Sequence, residues 1–218
     1  MSRVLIIGDL HCPADLSAYL PFCKQVYKKY KCTEVLFIGD IVDHESVSSH
    51  DKNPALPSPS DEFCMANERI KRWYNAFPKA TVTIGNHDDR VHRKLHKNGV
   101  PSMYLRSFAE IYGTPGWRWV YDKEIDSVYY YHGDGGSTGL PSFNVAKNRL
   151  QSVVCGHHHS AAGIMWIKGP RSTQFFGMNV GCGVDMHHSA LNYARPHLRK
   201  AVLSCGIVID GIPYLEIM

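Results

Sequence analysis

Five short apolar segments of this chain end in the same way, at a residue that can bind metal. In four of them the apolar run passes into glycine and then into Asp, Asn or His, and in the fifth it passes directly into His132. The segments are residues 4–9, 35–40, 81–86, 128–132 and 152–157. Unbroken apolar runs of this length are typical of strands buried on both faces, so the pattern predicts sheets enclosed between other layers.

The segments between the first three runs have the spacing of helices. Residues 16–30 and 62–77 repeat apolar side chains at intervals of three and four, and Ser60 and Asp61 are placed to cap the second helix. A strand, a helix and a second strand in succession indicate a parallel crossover unit.

The chain after Tyr121 is predicted to be mostly strands. The expected strands cover residues 127–131, 153–155, 164–167, 174–180, 202–209 and 214–217, with a hairpin turn at Asp210-Gly211. We therefore expect one α/β domain over residues 1–218, a four-layer α/β/β/α sandwich of two mixed sheets flanked by helices. Residues 44–60 and 183–200 form two long loops, which in a compact domain usually carry function.

The strand ends supply the residues for a metal site, because ligands gather at the carboxyl ends of parallel strands. The residues found there are Asp9, His11, Asp40, Asp43, Asn86, His87, His132, His157 and His159. Each one alone has an ordinary structural explanation, a turn or a buried histidine, but five such strand ends together indicate a metal centre. Imidazole, carboxylate and amide ligands favour Mn, Fe, Zn or similar ions over Ca or Mg.

In order and spacing these residues resemble the calcineurin-like metallophosphoesterases. The family pattern is D-x-H, G-D-x-x-D, G-N-H-[DE], a single His, and G-H-x-H. It is matched here by residues 9–11, 39–43, 85–88, 132 and 156–159. The resemblance implies hydrolysis of phosphate esters at a binuclear metal centre.

The resemblance also implies a role for each residue. One metal would be held by Asp9, His11, Asp40 and His159, and the second by Asp40, Asn86, His132 and His157. A hydroxide bridging the metals would attack phosphorus, His87 would protonate the leaving oxygen, and Asp43 would orient the His87 ring. The expected cofactors are two divalent transition metal ions, with Mn as the first choice and Fe, Zn, Ni or Co as alternatives.

One position departs from the protein-phosphatase branch of the family, in which an Arg that grips phosphate follows the second block. This chain has His44 there, a weaker and pH-dependent substitute for a bidentate guanidinium. Arg90 is a second candidate for binding phosphate. Its side chain is equally expected to face the substrate or to form a surface ion pair with Asp89. The expected substrates are phosphodiesters or small phosphomonoesters, nucleotides and nucleic acids among them.

Two other functions are consistent with the same five blocks. A nuclease would need an electropositive groove, for which the candidates are the basic stretch 195–200 and Arg90, Arg93, Lys94 and Lys97. A solvated charged face is the simpler explanation, since the formal net charge is only +4 and neither run interleaves aromatic residues for stacking. A non-catalytic scaffold is disfavoured because all seven ligands implied by the resemblance, together with His87 and Asp43, are present.

The cysteines and the first apolar run indicate a reducing compartment. Seven scattered cysteines without a C-x-x-C pair predict neither a disulfide framework nor a cysteine zinc site. Residues 4–7 are too short an apolar run for a signal peptide or a membrane segment. We expect a cytoplasmic protein without a membrane partner.

Overall fold

The computed structural model describes residues 2–49, 56–135, 141–188 and 200–218. The strands within these residues are β1 (Arg3–Ile7), β2 (Glu34–Phe37), β3 (Ala80–Thr83), β4 (Trp117–Val120), β5 (Asp122–Ile125), β6 (Val128–Tyr131), β7 (Ser152–Cys155), β8 (Ala162–Lys168), β9 (Gln174–Val180), β10 (Ser204–Ile209) and β11 (Ile212–Ile217). The α-helices are α1 (Tyr19–Lys29), α2 (Pro59–Ala76), α3 (Arg90–Lys97), α4 (Phe108–Ile111) and α5 (Pro141–Arg149). None of the helices in these four ranges combines the length and apolar character needed to cross a membrane.

The strands form two mixed sheets. Sheet A has the order β11-β10-β1-β2-β3-β4, in which β1 to β4 are parallel and β10 is antiparallel to both of its neighbours, β1 and β11. Sheet B has the order β5-β6-β7-β9-β8, with β6, β7 and β9 parallel and an antiparallel strand at each edge. The strand–helix–strand passages β1-α1-β2 and β2-α2-β3 are the predicted parallel crossovers.

Side-chain alternation along the strands divides the core into layers. Ile6 of β1 and Leu36 of β2 point between the sheets, where they join Tyr130, Phe176 and Met178 of sheet B. The alternate residues of sheet A pack against α1 and α2 on its outer face, and Val153 and Phe175 pack against α5 on the outer face of sheet B. The predicted four-layer α/β/β/α sandwich is confirmed.

The first two helices begin at different residues from those predicted. The first starts at Tyr19 rather than Leu16, whose N–H donates instead to the carbonyl of Gly183 at 2.8 Å. The second starts at Pro59, and its cap is Ser58, whose Oγ accepts from the N–H of Asp61 at 3.2 Å. The predicted cap at Ser60 and Asp61 is therefore wrong: both residues lie in the first turn, since proline is well suited to the first helical position.

Sequence patterns missed β4, β5 and α5. The β5 segment, Asp-Lys-Glu-Ile, is an edge strand with mostly polar side chains, so it lacks the apolar run by which the other strands were recognised. Tyr121 alone connects β4 in sheet A to β5 in sheet B. The hairpin turn was predicted correctly, with Asp210 and Gly211 both at positive φ between β10 and β11.

The two predicted long loops are described only in part. In the first, Glu45–Val47 forms a short 3-10 turn, and residues 50–55 lie outside the described ranges. In the second, residues 189–199 lie outside them.

Candidate metal centre

The two sheets bring all nine predicted site residues to one end of the sandwich. The ends of β1, β2 and β3 in sheet A carry Asp9, His11, Asp40, Asp43, Asn86 and His87. The ends of β6 and β7 in sheet B carry His132, His157 and His159. Side chains from both sheets are in contact across this end, where His132 Nε2 lies 3.1 Å from Asp40 Oδ2 and His159 Nε2 lies 3.1 Å from Asp9 Oδ2.

The side chains form three overlapping clusters that could hold a metal ion. Within each cluster the potential ligand atoms lie within 4.8 Å of one another. The clusters are Asp9 with His11 and His159, Asp40 with His132 and His157, and His11 with Asp40 and His87. Because Asp40 and His11 each belong to two clusters, neighbouring cation positions would share ligands.

His132 has the orientation of a metal ligand. Its Nδ1 lies 2.9 Å from the carbonyl oxygen of Ile38 and therefore carries the proton. The lone pair on Nε2 then faces two further acceptors, Asn86 Oδ1 and Asp40 Oδ2, each at 3.1 Å. Three electron-rich atoms aimed at one point are stabilised by a cation between them, and the backbone carbonyl fixes the ring as second-shell partners of metal ligands do.

Buried atoms without hydrogen-bond partners show that the residues fit a cation. Among the described residues, Asp9 Oδ1, His11 Nε2 and Asp43 Oδ2 are enclosed and unpartnered. Buried polar atoms normally have a partner, because leaving one unpaired costs on the order of 1–3 kcal/mol. Two of these three atoms belong to residues of the cluster of Asp9, His11 and His159, which is the environment that a divalent ion would stabilise.

The electrostatics of the centre favour positive charge. Burial alone would raise the pKa of Asp40, but the nearby imidazoles of His132 and His87 outweigh burial and hold that pKa well below its usual range. Burial opposes the charged form of His132, yet its contacts with Asp40 raise the pKa of His132 to about 10. Asp40 therefore stabilises positive charge beside it, and a metal ion would take the place of the proton that Asp40 otherwise keeps on His132 Nε2.

His87 is held beside the clusters by protein groups at both ring nitrogens. Its Nδ1 lies 2.7 Å from the Asp43 carbonyl oxygen and 3.2 Å from Asp43 Oδ1, and its Nε2 lies 3.2 Å from Arg90 Nη2. Asp43 Oδ1 also lies 2.7 Å from His11 Nδ1, so one carboxylate positions two rings. Despite burial, the carboxylates of Asp40 and Asp43 raise the pKa of His87.

The two predicted substrate-binding residues occupy different environments. The His44 ring is held within the protein, with Nδ1 3.1 Å from the His87 carbonyl oxygen and Nε2 3.3 Å from the Tyr112 hydroxyl. The Arg90 guanidinium donates to the carbonyls of Asp43 at 3.1 Å and His44 at 2.8 Å, with its side chain 13% exposed. Arg90 lies beside His87, and the carboxylate of Asp89 is instead 3.7 Å from Arg93.

Asp88 is a site residue whose role sequence reasoning missed. Its buried carboxylate accepts from the N–H groups of Ile41 at 2.9 Å, Val42 at 3.2 Å and Gly85 at 2.9 Å. Burial, and then the neighbouring charge of Asp40, raise the pKa of Asp88 to about 7. Asp88 thus ties the loop after β2 to the loop after β3. Its place as the acid in the G-N-H-[DE] block was the available signal.

The glycines before the ligands provide room for carboxylates. A Cβ on Gly85 would lie 2.2 Å from Asp40 Oδ1, and a Cβ on Gly156 would lie 2.3 Å from Asp9 Oδ1. These separations exclude any side chain, so each glycine lets a carboxylate from an earlier block approach the backbone closely.

Several residues of the centre have left-handed backbone conformations. The φ angles are 49° at His11, 49° at Asp40, 52° at His44 and 64° at His157. Such conformations are uncommon outside glycine and cluster at functional sites, where the surrounding structure enforces them.

The predicted basic face is largely engaged within the protein. Arg93 Nη2 donates to the Asn86 carbonyl at 2.7 Å, and Lys94 donates to the Val47 carbonyl. Residues 195–199 of the second basic stretch lie outside the described ranges.

Comparison with known proteins gives a family and a set of similar structures. The model of the calcineurin-like phosphoesterase family matches residues 2–174. A search of curated protein sequences found no match. Vacuolar protein sorting 29 from Cryptosporidium parvum is 16% identical with a TM-score of 0.49, over 100% of this chain and 96% of that one. The phosphoesterase YfcE from E. coli is 14% identical with a TM-score of 0.46, over 97% and 90%. The nuclease MPE from Pseudomonas putida is 12% identical with a TM-score of 0.35, over 98% and 87%.

Proposed function

The chain belongs to the calcineurin-like phosphoesterases, and from that premise we propose that it hydrolyses phosphodiesters or small phosphomonoesters with two divalent metal ions. The observation that carries the proposal is the position of Asp40 between ligand sets from the two sheets. Its Oδ2 lies 3.5 Å from His11 Nε2 and 3.1 Å from His132 Nε2. One carboxylate at the centre of two ligand groups suits a pair of ions that share it.

The ligand sets follow from this arrangement. Asp9, His11, Asp40 and His159 would hold one ion, and Asp40, Asn86, His132 and His157 would hold the other. When bound, two such ions supply a nucleophile from water at neutral pH and stabilise charge on the phosphate oxygens. The nitrogen-rich ligand sets suit a transition metal, and we propose Mn as the native one.

His87 and Asp43 would act on the leaving group. The Asp43 main chain and carboxylate hold His87 Nδ1, and we assign proton transfer to Nε2, which lies 3.2 Å from Arg90 Nη2. The raised pKa of His87 increases the protonated fraction of its ring near neutral pH. We assign it as the general acid that protonates the leaving oxygen.

Arg90 is the better placed of the two candidate phosphate-binding residues. Its Nη2 is 3.2 Å from His87 Nε2, so a phosphate whose leaving oxygen meets His87 is within reach of the guanidinium. His44 has protein partners at both ring nitrogens. We therefore propose Arg90 for phosphate contact and His44 for holding the main chain of His87.

The site favours an enzyme over a scaffold, because a scaffold has no need for enclosed carboxylate and imidazole atoms left without partners. A nuclease would use the same chemistry, but the described basic side chains Arg93 and Lys94 are engaged with main-chain carbonyls. We place the protein in the cytoplasm, in keeping with its seven free cysteines.

The proposal is tested by reconstituting the protein with Mn²⁺, measuring metal content by elemental analysis, and running a substrate panel. The panel contains aryl monoesters, aryl diesters, cyclic nucleotides, and single- and double-stranded DNA and RNA. We expect two metals per chain and turnover of the small esters, and His96→Asn, a surface change, should alter neither. Fewer than one metal per chain, or no turnover of any ester, contradicts the proposal, and activity restricted to nucleic acids would assign the protein as a nuclease.

A further inference from the structure

A cavity of about 210 Å³ lies beside Asn86, next to the clusters of candidate ligands. Its walls come from the end of β3, the start of α3, Tyr121 and the β5–β6 hairpin. Asn86 lines this cavity and also places its Oδ1 3.1 Å from His132 Nε2. A group in the cavity is therefore adjacent to the proposed metal centre.

Three tyrosines line the cavity. Tyr121 is 64% exposed, and Asp89 lines the same cavity. The rings of Tyr129 and Tyr131 are stacked with centroids 5.5 Å apart, and the Arg149 guanidinium lies over Tyr129 at 3.7 Å. An exposed aromatic ring held at the edge of a cavity is suited to stacking against a flat ring system.

The charges around the cavity select against a second phosphate. Three carboxylates line it, those of Asp89, Asp122 and Asp134, against the single guanidinium of Arg93, which lies 3.7 Å from Asp89. An additional anionic group in the cavity would be repelled, whereas hydroxyl and amino groups would find acceptors.

We propose that this cavity binds one ester group of the substrate and that this group is a single nucleoside. The inference rests on the proposed phosphoesterase function and narrows its substrate class to phosphate esters of individual nucleosides, as opposed to nucleotide chains. The size agrees, since 210 Å³ is below the roughly 300–1,000 Å³ of pockets that enclose whole drug-sized ligands and suits a smaller group.

The test measures binding to the Mn²⁺-loaded protein by isothermal titration calorimetry with three phosphate monoesters. Methyl phosphate, ribose 5-phosphate and adenosine 5′-monophosphate carry the same phosphate and differ in what enters the cavity. We expect adenosine 5′-monophosphate to bind roughly 5- to 100-fold more tightly than methyl phosphate, the effect of stacking one base on an aromatic side chain. Ribose 5-phosphate should lie between them.

Two variants test whether Tyr121 provides the tighter binding of adenosine 5′-monophosphate. Tyr121→Ala should bring the affinity for adenosine 5′-monophosphate close to that for ribose 5-phosphate and leave methyl phosphate binding unchanged. Tyr214→Ala is the matched control, because Tyr214 lies on β11 at the opposite edge of sheet A from β4 and should affect none of the three ligands. Equal affinities for methyl phosphate and adenosine 5′-monophosphate, or no effect of Tyr121→Ala, would overturn the subsite.

A charge test completes the experiment. Adenosine 3′,5′-bisphosphate should bind more weakly than adenosine 5′-monophosphate, and Asp134→Asn should reduce the difference; tighter binding of the bisphosphate would overturn the assignment. If methyl phosphate itself fails to bind and no ester is hydrolysed, the proposed function fails and the subsite falls with it. If methyl phosphate binds but a nucleoside adds nothing, only the subsite is wrong.

Discussion

The two sheets contribute chemically different halves to the candidate metal centre. Sheet A supplies every carboxylate and the single amide, whereas the three residues from sheet B are all imidazoles. The sheet A loops are fastened to one another by Asp88, which accepts from three main-chain N–H groups. On the sheet B side, His132 is fully buried but the side chain of His159 is 22% exposed.

This difference indicates a division of work between the sheets. Sheet A provides negative charge in a fixed position, and sheet B adds imidazole ligands whose distance from that charge depends on how the sheets pack. The main chain also joins the halves, since Asp9 Oδ2 accepts from the His157 N–H at 2.9 Å. Substitutions on the two sides are therefore expected to have separable effects.

The largest effect should come from Asp40→Asn. Asp40 lies between both ligand sets, so removing its charge should lower the metal content from two ions to fewer than one per chain. Activity should fall by more than the roughly 10²–10³-fold lost with a single charge-stabilising group. Elemental analysis and turnover of an aryl ester measure both. His159→Ala, on the sheet B side, should empty only one position, and equal loss from the two variants would argue against a shared ligand.

His87→Asn should have the next largest effect on activity and should leave the metal content unchanged. A general acid contributes roughly 10²–10⁴-fold to rate and matters most for a strongly basic leaving group. Alkyl esters should therefore lose more activity than nitrophenyl esters, as measured by the ratio of kcat/KM values with metal content monitored. His132→Asn is the contrasting variant and should lose metal and fail on both ester types. If His87→Asn strips the metals, or slows both ester types equally with chemistry limiting, the assigned role is wrong.

Asp88→Asn should have a smaller effect on the sheet A half. The amide keeps the size of the side chain but replaces one acceptor oxygen by a donor that faces a main-chain N–H. Second-shell changes of this kind cost about 10–100-fold in metal affinity or activity. Metal titration should show weaker binding with two ions still bound at saturation. Unchanged affinity would mean that the loops after β2 and β3 hold their positions without Asp88.

The smallest effect on metal binding should come from the packing between the sheets. Phe176 and Phe175 are adjacent on β9 and both buried, but Phe176 faces sheet A and Phe175 faces α5. Each change to Ala should lower the free energy of unfolding by about 3–5 kcal/mol, as measured by denaturant unfolding. Only Phe176→Ala should also weaken metal binding, by less than about tenfold, because it loosens the contact between the two ligand halves. The same metal affinity in both variants would indicate that sheet separation does not control the centre.

The parts of the fold that local patterns encode were predictable. Apolar runs identified the central strands, and the polar residues after them identified the clustered strand ends, because both signals lie within a few residues of sequence. The charged edge strand β5 was missed, since three of its four residues are charged and it has no apolar run. The start of α2 was misplaced because Ser58 and Ser60 are both acceptable caps, and Pro59 decides between them.

The contacts that could not be predicted from the sequence are those between distant segments. The partner of Arg90 was left open between substrate and Asp89, and the structure places its guanidinium on the carbonyls of Asp43 and His44, more than forty residues earlier. The cavity beside Asn86 gathers residues from Ile84 to Asp134, and no spacing in the sequence linked Tyr121 to Tyr129 and Tyr131. Pairwise geometry of this kind exists only once distant segments of the chain have come together in the fold.

The left-handed conformations at the centre set a limit on how this protein can be improved. Each costs a non-glycine residue about 1–2 kcal/mol relative to the ordinary backbone, so glycine at His11, Asp40 or His157 would relieve strain but delete a proposed ligand. Thermal stability therefore cannot be raised by glycine substitution at these three positions without loss of metal binding. At these positions stability and activity oppose each other. A related sequence that has lost the activity no longer needs these ligands, and glycine at these positions would be a sign of that loss.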